Sequence, residues 1–414
     1  MSMSSVPEEI QLEIFMKLPA NSILVCRCVC KIWYNLLCNP KFVKNHLIHT
    51  NQTMKPRLIL SQTDRWSSKN PIVYSIDYDS VLSSSLSLSV STLLSLSMPT
   101  SDECACIGAV RMNYPFQHES IFSFRVLGSC NGLICVSMDR RIGMYLCIWN
   151  PITGEYKDIS PPQFDDPIPG EAFYKIRYGF GHDCVIDDYK VVSIWGDVES
   201  PGNCKMQVYT LGSDSWNYIN NAIPYYFPPS TTSCGMLFRG ALHWIAVPEV
   251  IVSFNVSNDS LMEVPFPEVI PPEYGEELDT GVGVLGDCLS LCVAVVTEHV
   301  RFDVWVMQEY GVRESWAKHF TITDDQVSVR GSTFFKPIWS IENGEILINT
   351  GQGLVLYDQT NGRVRKVYFP ATAMRRNLHG LAEKVGSYVE SIVRLGSGTY
   401  VPKITGNPKM QKSS

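Results

Sequence analysis

The sequence predicts a two-part protein, multidomain α plus all-β, in which a short N-terminal helical bundle is followed by a β-propeller-like body. Three observations predict it. Apolar residues recur at helical spacing only within the first fifty residues, where Ile10, Ile14 and Leu18 are four apart. From residue 55 onward, β-branched and aromatic runs alternate with Gly, Pro, Asn and Asp punctuation. Within that body a strand, polar turn and strand unit returns at intervals of roughly 35 to 60 residues, the spacing of propeller blades.

The head reads as three or four short helices. Pro19 ends the first, because the residue before a proline avoids the α region. At its start, Ser5 and Glu8 have the spacing of a capping box, with Pro7 in the first turn. Ser22 is placed to cap a second helix through ILVCRCV, and CKIWYNLLCN follows. Pro40 is expected to open a short turn carrying Phe42, Val43 and Leu47. So few residues bury little surface by themselves, and such a head needs a partner or an adjoining domain.

The repeating unit of the body appears at 147–162, 208–219, 252–267, 304–322 and 354–370. Each copy carries Asn, Asp, Gly or Ser at the turn, where a positive φ or a side-chain bond to the backbone is needed. A hairpin cannot cover its own apolar face, whereas blades stacked radially do so and leave only short edges. A propeller of about six to eight blades follows. The boundaries read as 1–50 for the head, 55–400 for the propeller and 401–414 for a disordered tail.

Composition excludes several classes. The 414 residues carry a formal charge of −7, which argues against a general nucleic-acid surface. No signal peptide pattern opens the chain, so the cytoplasm is expected, with the nucleus also open. The fourteen cysteines then read as reduced core thiols, and none forms a CxxC pair. Alternation of Cys26, Cys28 and Cys30 scatters the sulfurs around a helix, so no metal is expected there. The stretch 80–98 alternates Ser and Leu, which reads as a strand or an exposed loop and not as a membrane span.

The catalytic motifs that occur are incomplete. Gly281, Gly283 and Gly286 match GxGxxG, but a strand pattern follows where a dinucleotide site needs a helix, so they read as glycines of a blade turn. Gly128 to Gly132 resembles a nucleophile elbow around Cys130, again followed by a strand, and reads as a hairpin turn. His118-Glu119 and His182-Asp183 are adjacent and face opposite sides of a strand. Trp149, Trp195, Trp216, Trp244, Trp305, Trp316 and Trp339 are expected in the core or between blades. No catalytic residue, cofactor or metal site is expected. Substrate-binding residues stay unassigned; candidate loops are 163–175, 197–204 and the acidic 268–279.

Val6-Pro7-Glu8-Glu9-Ile10, Ile14, Leu18-Pro19, Ser22, Leu24 and Arg27-Cys28-Val29-Cys30-Lys31 with Trp33 resemble the plant F-box motif. GSCNGLICV, WNPITGEYKDISPP, YGFGHDCVIDDYKVV, VYTLGSDSW, FRGALHWIA and VWVMQEYGVRESWAKHF resemble, in order, the kelch-like F-box-associated domain. The block 304–320 is most similar to the S-locus F-box type. The resemblance implies a non-catalytic substrate receptor of an SCF-type ubiquitin ligase. Its F-box would bind a Skp-type adaptor, and through it cullin and RING subunits, by Pro7, Ile10, Ile14, Leu18, Pro19, Leu24, Cys28 and Val29. Trp33 would knit the helices internally, and the body would hold a protein target, for the S-locus type a ribonuclease in pollen self-incompatibility. Val6, Asn21, Val25 and Cys26 depart from the motif, keeping apolar character but losing basic and aromatic side chains. The competing reading is a propeller that recognises protein or glycan outside any ligase.

Overall fold

The computed structural model describes residues 6–62, 70–84, 109–141, 143–163, 176–195, 204–227, 234–247, 250–268, 279–296, 300–323, 334–341, 344–351, 353–367 and 384–395. Four helices lead: α1 (Glu8–Met16), α2 (Ala20–Arg27), α3 (Lys31–Leu37) and α4 (Pro40–Thr53). Their capping differs from the sequence expectation. Pro7 is the N-cap of α1 and Pro19 that of α2, neither with a side-chain cap bond. Ser22 therefore lies inside α2, where its N–H is bonded to the Pro19 carbonyl at 3.0 Å. The presumed short turn at Pro40 is the first turn of the longest helix. Asn39 caps it by accepting from Lys41 N at 2.9 Å, and proline at N1 has no amide to leave unpaired.

The body is a six-bladed propeller, each blade a four-stranded antiparallel sheet. The first blade holds β1 (Arg57–Gln62), β2 (Ile72–Ile76) and β3 (Ala109–Met112), with helix α5 (Tyr78–Ser84) between β2 and β3. The second holds β4 (Ile121–Cys130), β5 (Leu133–Arg140), β6 (Met144–Trp149) and β7 (Tyr156–Ile159). The third holds β8 (Arg177–Asp183), β9 (Asp188–Trp195), β10 (Cys204–Thr210) and β11 (Ser215–Ile223). In the fourth are β12 (Met236–Phe238), β13 (Ala241–Ala246), β14 (Val250–Asn255) and β15 (Ser260–Pro265). In the fifth are β16 (Asp279–Leu285), β17 (Cys288–Val296), β18 (Val300–Met307) and β19 (Trp316–Thr323). The sixth holds β20 (Lys336–Ser340), β21 (Glu345–Asn349), β22 (Leu354–Asp358) and β23 (Arg363–Val367). β24 (Val385–Tyr388) then returns to the first blade and pairs with β1, Arg57 opposite Tyr388 and Leu60 opposite Val385. The ring is thus closed by the last strand, which forms the inner edge of the blade the chain began.

The five sequence repeats are the third and fourth strands of blades two to six, joined by their turn. The recurring Asn or Asp does the same job in each of three: Asn150, Asn255 and Asp358 accept from the amides of Ile152, Ser257 and Thr360 at 2.9, 2.9 and 2.8 Å. Tryptophans tie blades together. Trp216 and Trp316, near the starts of outer strands, each donate at 2.8 Å to the preceding blade, at the Ser160 and Pro265 carbonyls.

Inner strands surround a central channel of about 470 Å³. Glycine allows them to approach their neighbours: a Cβ on Gly179 of β8 would lie 2.7 Å from Leu242 and Trp244 of the next blade. The GxGxxG match belongs here. Gly281 and Gly283 lie within β16 and only Gly286 sits in a turn, with φ +59°, so the motif joins two strands. The GSCNG segment ends β4 and supplies the two-residue β4–β5 turn, Asn131 and Gly132 at φ 55° and 81°. Burial lifts the Cys130 thiol to about 12, so it is not an activated nucleophile. His182 meets Asp187 at 3.2 Å, not its neighbour Asp183. The Ser/Leu stretch opens within α5, whose first turn is held by Asp77 accepting from Ser80 N at 2.8 Å, and not as a strand; residues 85–98 lie outside the described residues. No described helix is long and apolar enough to cross a membrane. No group of three His, Cys, Asp or Glu that could hold a metal ion occurs among the described residues.

One buried network makes a pH-dependent prediction. His243 on β13 is 1% exposed and lies 2.7 Å from the Tyr310 hydroxyl through Nε2 and 3.2 Å from the Met236 carbonyl through Nδ1. Because a carbonyl only accepts, Nδ1 carries the proton and Nε2 accepts from Tyr310. Burial depresses the imidazole to about 4. A depressed histidine gives stability that is complete above the unfolded value near 6.5 and lost as pH falls toward 4. Between pH 7 and pH 5 the loss is about 2 kcal/mol. His243→Gln offers one donor and one acceptor without titrating, so urea unfolding of the variant should lose about that much less over the same interval. Equal pH dependence in both proteins would refute this assignment.

Candidate functional site

The helical head sits on one face of the propeller, and topology dictates which. The chain enters β1, second from the axis, directly after α4, and it leaves the inner strand β24 on the same side. That face carries the turns between first and second and between third and fourth strands. Asn131 and Asp187 from such turns, with His182 near the end of β8, line the groove beside Val43, Lys44 and Leu47 of α4. Lys44 pairs with Asp187 at 3.3 Å, both side chains well exposed, so the contact adds little energy.

The inward side of the head is a small core of Phe15, Ala20, Ile23, Leu37 and Phe42, completed from the propeller side by Ile392 and in part by Ile152. Trp33 is half-buried there. Its ring meets Phe15 edge-on with centroids 4.9 Å apart, and its Nε1 donates to Gln11 Oε1 at 3.0 Å. His46, 1% exposed, bonds the Leu18 carbonyl at 2.9 Å, joining α4 to the end of α1. Burial holds this imidazole below its ordinary value, and the Leu18 carbonyl opposes that shift.

The outward side is apolar without being covered. Ile10 and Ile14 on α1 are 45% and 44% exposed, and Val29 after α2 is 62% exposed. Pro7, Pro19 and Cys28 are exposed beside them. Leu18 and Leu24 are half-buried and pack on the inner core, so they back the face more than they form it. Two further residues belong to the surface that sequence reasoning left out: Val25 at 69% and Ile32 at 75% exposed. Part of the signal was available, because Val25 stands four residues before Val29 in the sequence, although Val29 itself lies beyond the end of α2. Isolated exposed apolar residues are ordinary, but five large apolar side chains exposed within four short helices are more than such a head usually leaves uncovered.

The candidate target loops lie largely outside the described residues. Their flanking strands are described: β7 and β8, β9 and β10, and β15 and β16. The strand ends that these segments join all point away from the head, toward the opposite face.

The described residues thus form a helical head with an exposed apolar outer side, seated on one face of a six-bladed propeller. An F-box domain model matches residues 3–45, and the F-box associated beta propeller domain matches residues 83–402. The chain belongs to that family of F-box proteins. It is 28% identical to the F-box protein CPR1 of Arabidopsis thaliana over 84% of this chain and 80% of that one. It is 26% identical to the Arabidopsis F-box/kelch-repeat protein At3g23880 over 87% and 89% of the two chains. The first blade begins at β1, well before residue 83, so the fold extends beyond the matched segment on its N-terminal side.

Proposed function

We propose that this protein is the substrate receptor of an SCF-type ubiquitin ligase. The apolar outer face of the F-box binds a Skp-type adaptor, and through it cullin and RING subunits. The propeller holds a protein target for ubiquitination and degradation. The uncovered strip Ile10, Ile14, Val25, Val29 and Ile32 carries this reading, because the inner face of the same helices is already occupied by the propeller. The mechanism is positional: holding the target near a charged ubiquitin carrier raises its effective concentration, and no residue of this chain performs bond chemistry. The connections that leave the face opposite the head are the place for the target. A ribonuclease target in pollen self-incompatibility is the narrower proposal, resting on the resemblance of 304–320 to the S-locus type. Cytoplasm and nucleus are the compartments in which such a receptor works.

Titration of the full chain with purified Skp-type adaptors tests the proposal. A one-to-one complex, able to recruit cullin and RING subunits and to ubiquitinate a captured target, is the expected result. A folded chain that binds none of a panel of such adaptors would overturn it.

A further inference from the structure

We infer that the segment Val389–Leu395 couples closure of the propeller to assembly of the F-box, so that the adaptor-binding head is complete only when the far end of the chain is in place. The segment follows β24, whose pairing with β1 closes the ring. It then crosses the face beneath the helices with alternating commitments. Ile392, fully buried, enters the F-box core with Phe15, Ala20, Ile23, Leu37 and Phe42. Val393 and Leu395 enter instead the core between blades two and three, with Leu127, Leu133 and Tyr178.

The propeller grips this segment by its backbone. Asn150 Nδ2 donates to the carbonyls of Ser391 and Val393 at 3.2 and 2.8 Å. Ser391 Oγ, itself buried, donates to the Asn131 carbonyl at 2.8 Å. The Leu395 amide donates to Glu155 at 3.3 Å. Gly132 is needed for this seat, because a Cβ there would occupy the space of the Ser391 side chain. These bonds hold the strap when the ring is closed, and Ile392 is thereby presented to the helices at a fixed height.

Few residues of the head are themselves fully buried, so one further isoleucine is a large share of its core. Removing it should loosen the helices selectively, and local opening of this kind is read by amide hydrogen exchange. The link from head assembly to adaptor binding rests on the receptor reading above; the coupling itself does not.

The experiment uses the full chain and two variants. Ile392→Ser is expected to accelerate exchange across α1 to α4 by tenfold or more while leaving the inner strands of blades four and five at wild-type protection. Ile392→Val, which keeps most of the apolar volume, should restore protection to within a few-fold. If the serine variant loses protection throughout the propeller, the valine variant decides: a graded loss confined to the helices supports the coupling, and none there overturns it. Wild-type exchange in the helices of the serine variant likewise overturns it. Adaptor titration separates the two proposals. Coupled exchange in a wild-type chain that binds no adaptor sinks the receptor reading and leaves the coupling standing. Unchanged adaptor affinity in a serine variant with loosened helices shows that the strap does not govern binding.

Discussion

Replacing Ile10 and Val29 together by aspartate is expected to weaken binding of a Skp-type adaptor by at least about a hundredfold without unfolding the protein. Burying an isoleucine or valine side chain contributes roughly 1.5–3 kcal/mol, and each tenfold in affinity is about 1.4 kcal/mol. A buried, unpaired carboxylate adds a further desolvation cost on the bound side. The two residues are 45% and 62% exposed, so the free protein loses little by the change. Exposed substitutions of this kind usually alter stability by no more than about 0.5 kcal/mol. Ile10 also lies in the first turn of α1, where a carboxylate suits the helix dipole. Calorimetric titration beside a urea unfolding curve reads both quantities. Wild-type affinity in the folded double variant would move the docking surface elsewhere.

Lys190→Met is expected to destabilise the propeller by about 3–5 kcal/mol, the usual effect of breaking a buried ion pair from one side. Lys190, on β9, is 5% exposed. Its ammonium lies 2.8 Å from Asp183, 2.9 Å from Asp259 and 2.9 Å from the Val256 carbonyl, which it joins across the boundary of blades three and four. Burial by itself would raise the Asp183 carboxyl. The Lys190 ammonium and the amides of Val185 and Ile186 outweigh it and hold the carboxyl below its ordinary range. A carboxyl depressed in this way stabilises the fold above the unfolded value near 3.9 and loses that contribution as pH falls through its folded value. Without the ammonium, burial is opposed only by two amides, and Asp183 can relieve its own cost by taking up a proton. The gap between wild type and variant should therefore narrow when unfolding is measured near pH 4 instead of pH 7. A methionine variant as stable as wild type at pH 7 would mean that apolar packing replaces the pair in full.

Much of the fold was legible because the signals are local. Helical spacing marked the head, and the five polar turns marked the third-to-fourth-strand hairpin of five blades. The first blade escaped that reading since its strands come from both ends of the chain, and β24 is separated from β1 by nearly the whole sequence. Capping was misread where proline stood at the boundary. Pro7 and Pro19 begin helices through their fixed φ, so the Ser22 hydroxyl is not needed as a cap, and Ser5 lies outside the described residues.

The candidate site divides in the same way. Sequence by itself determined that Ile10, Ile14, Val29 and their neighbours are apolar residues on short helices, more than such a head can bury. Which of them turn outward was decided by tertiary structure, because Phe15, Leu37 and Phe42 compete for the same small core and Ile392 arrives to complete it. Leu18 and Leu24 were drawn halfway into that core, while Val25 and Ile32 were left outside. Periodicity ranks residues by face within one helix. It carries no information about Ile392, which folds back from 350 residues beyond Phe42 to complete the buried face.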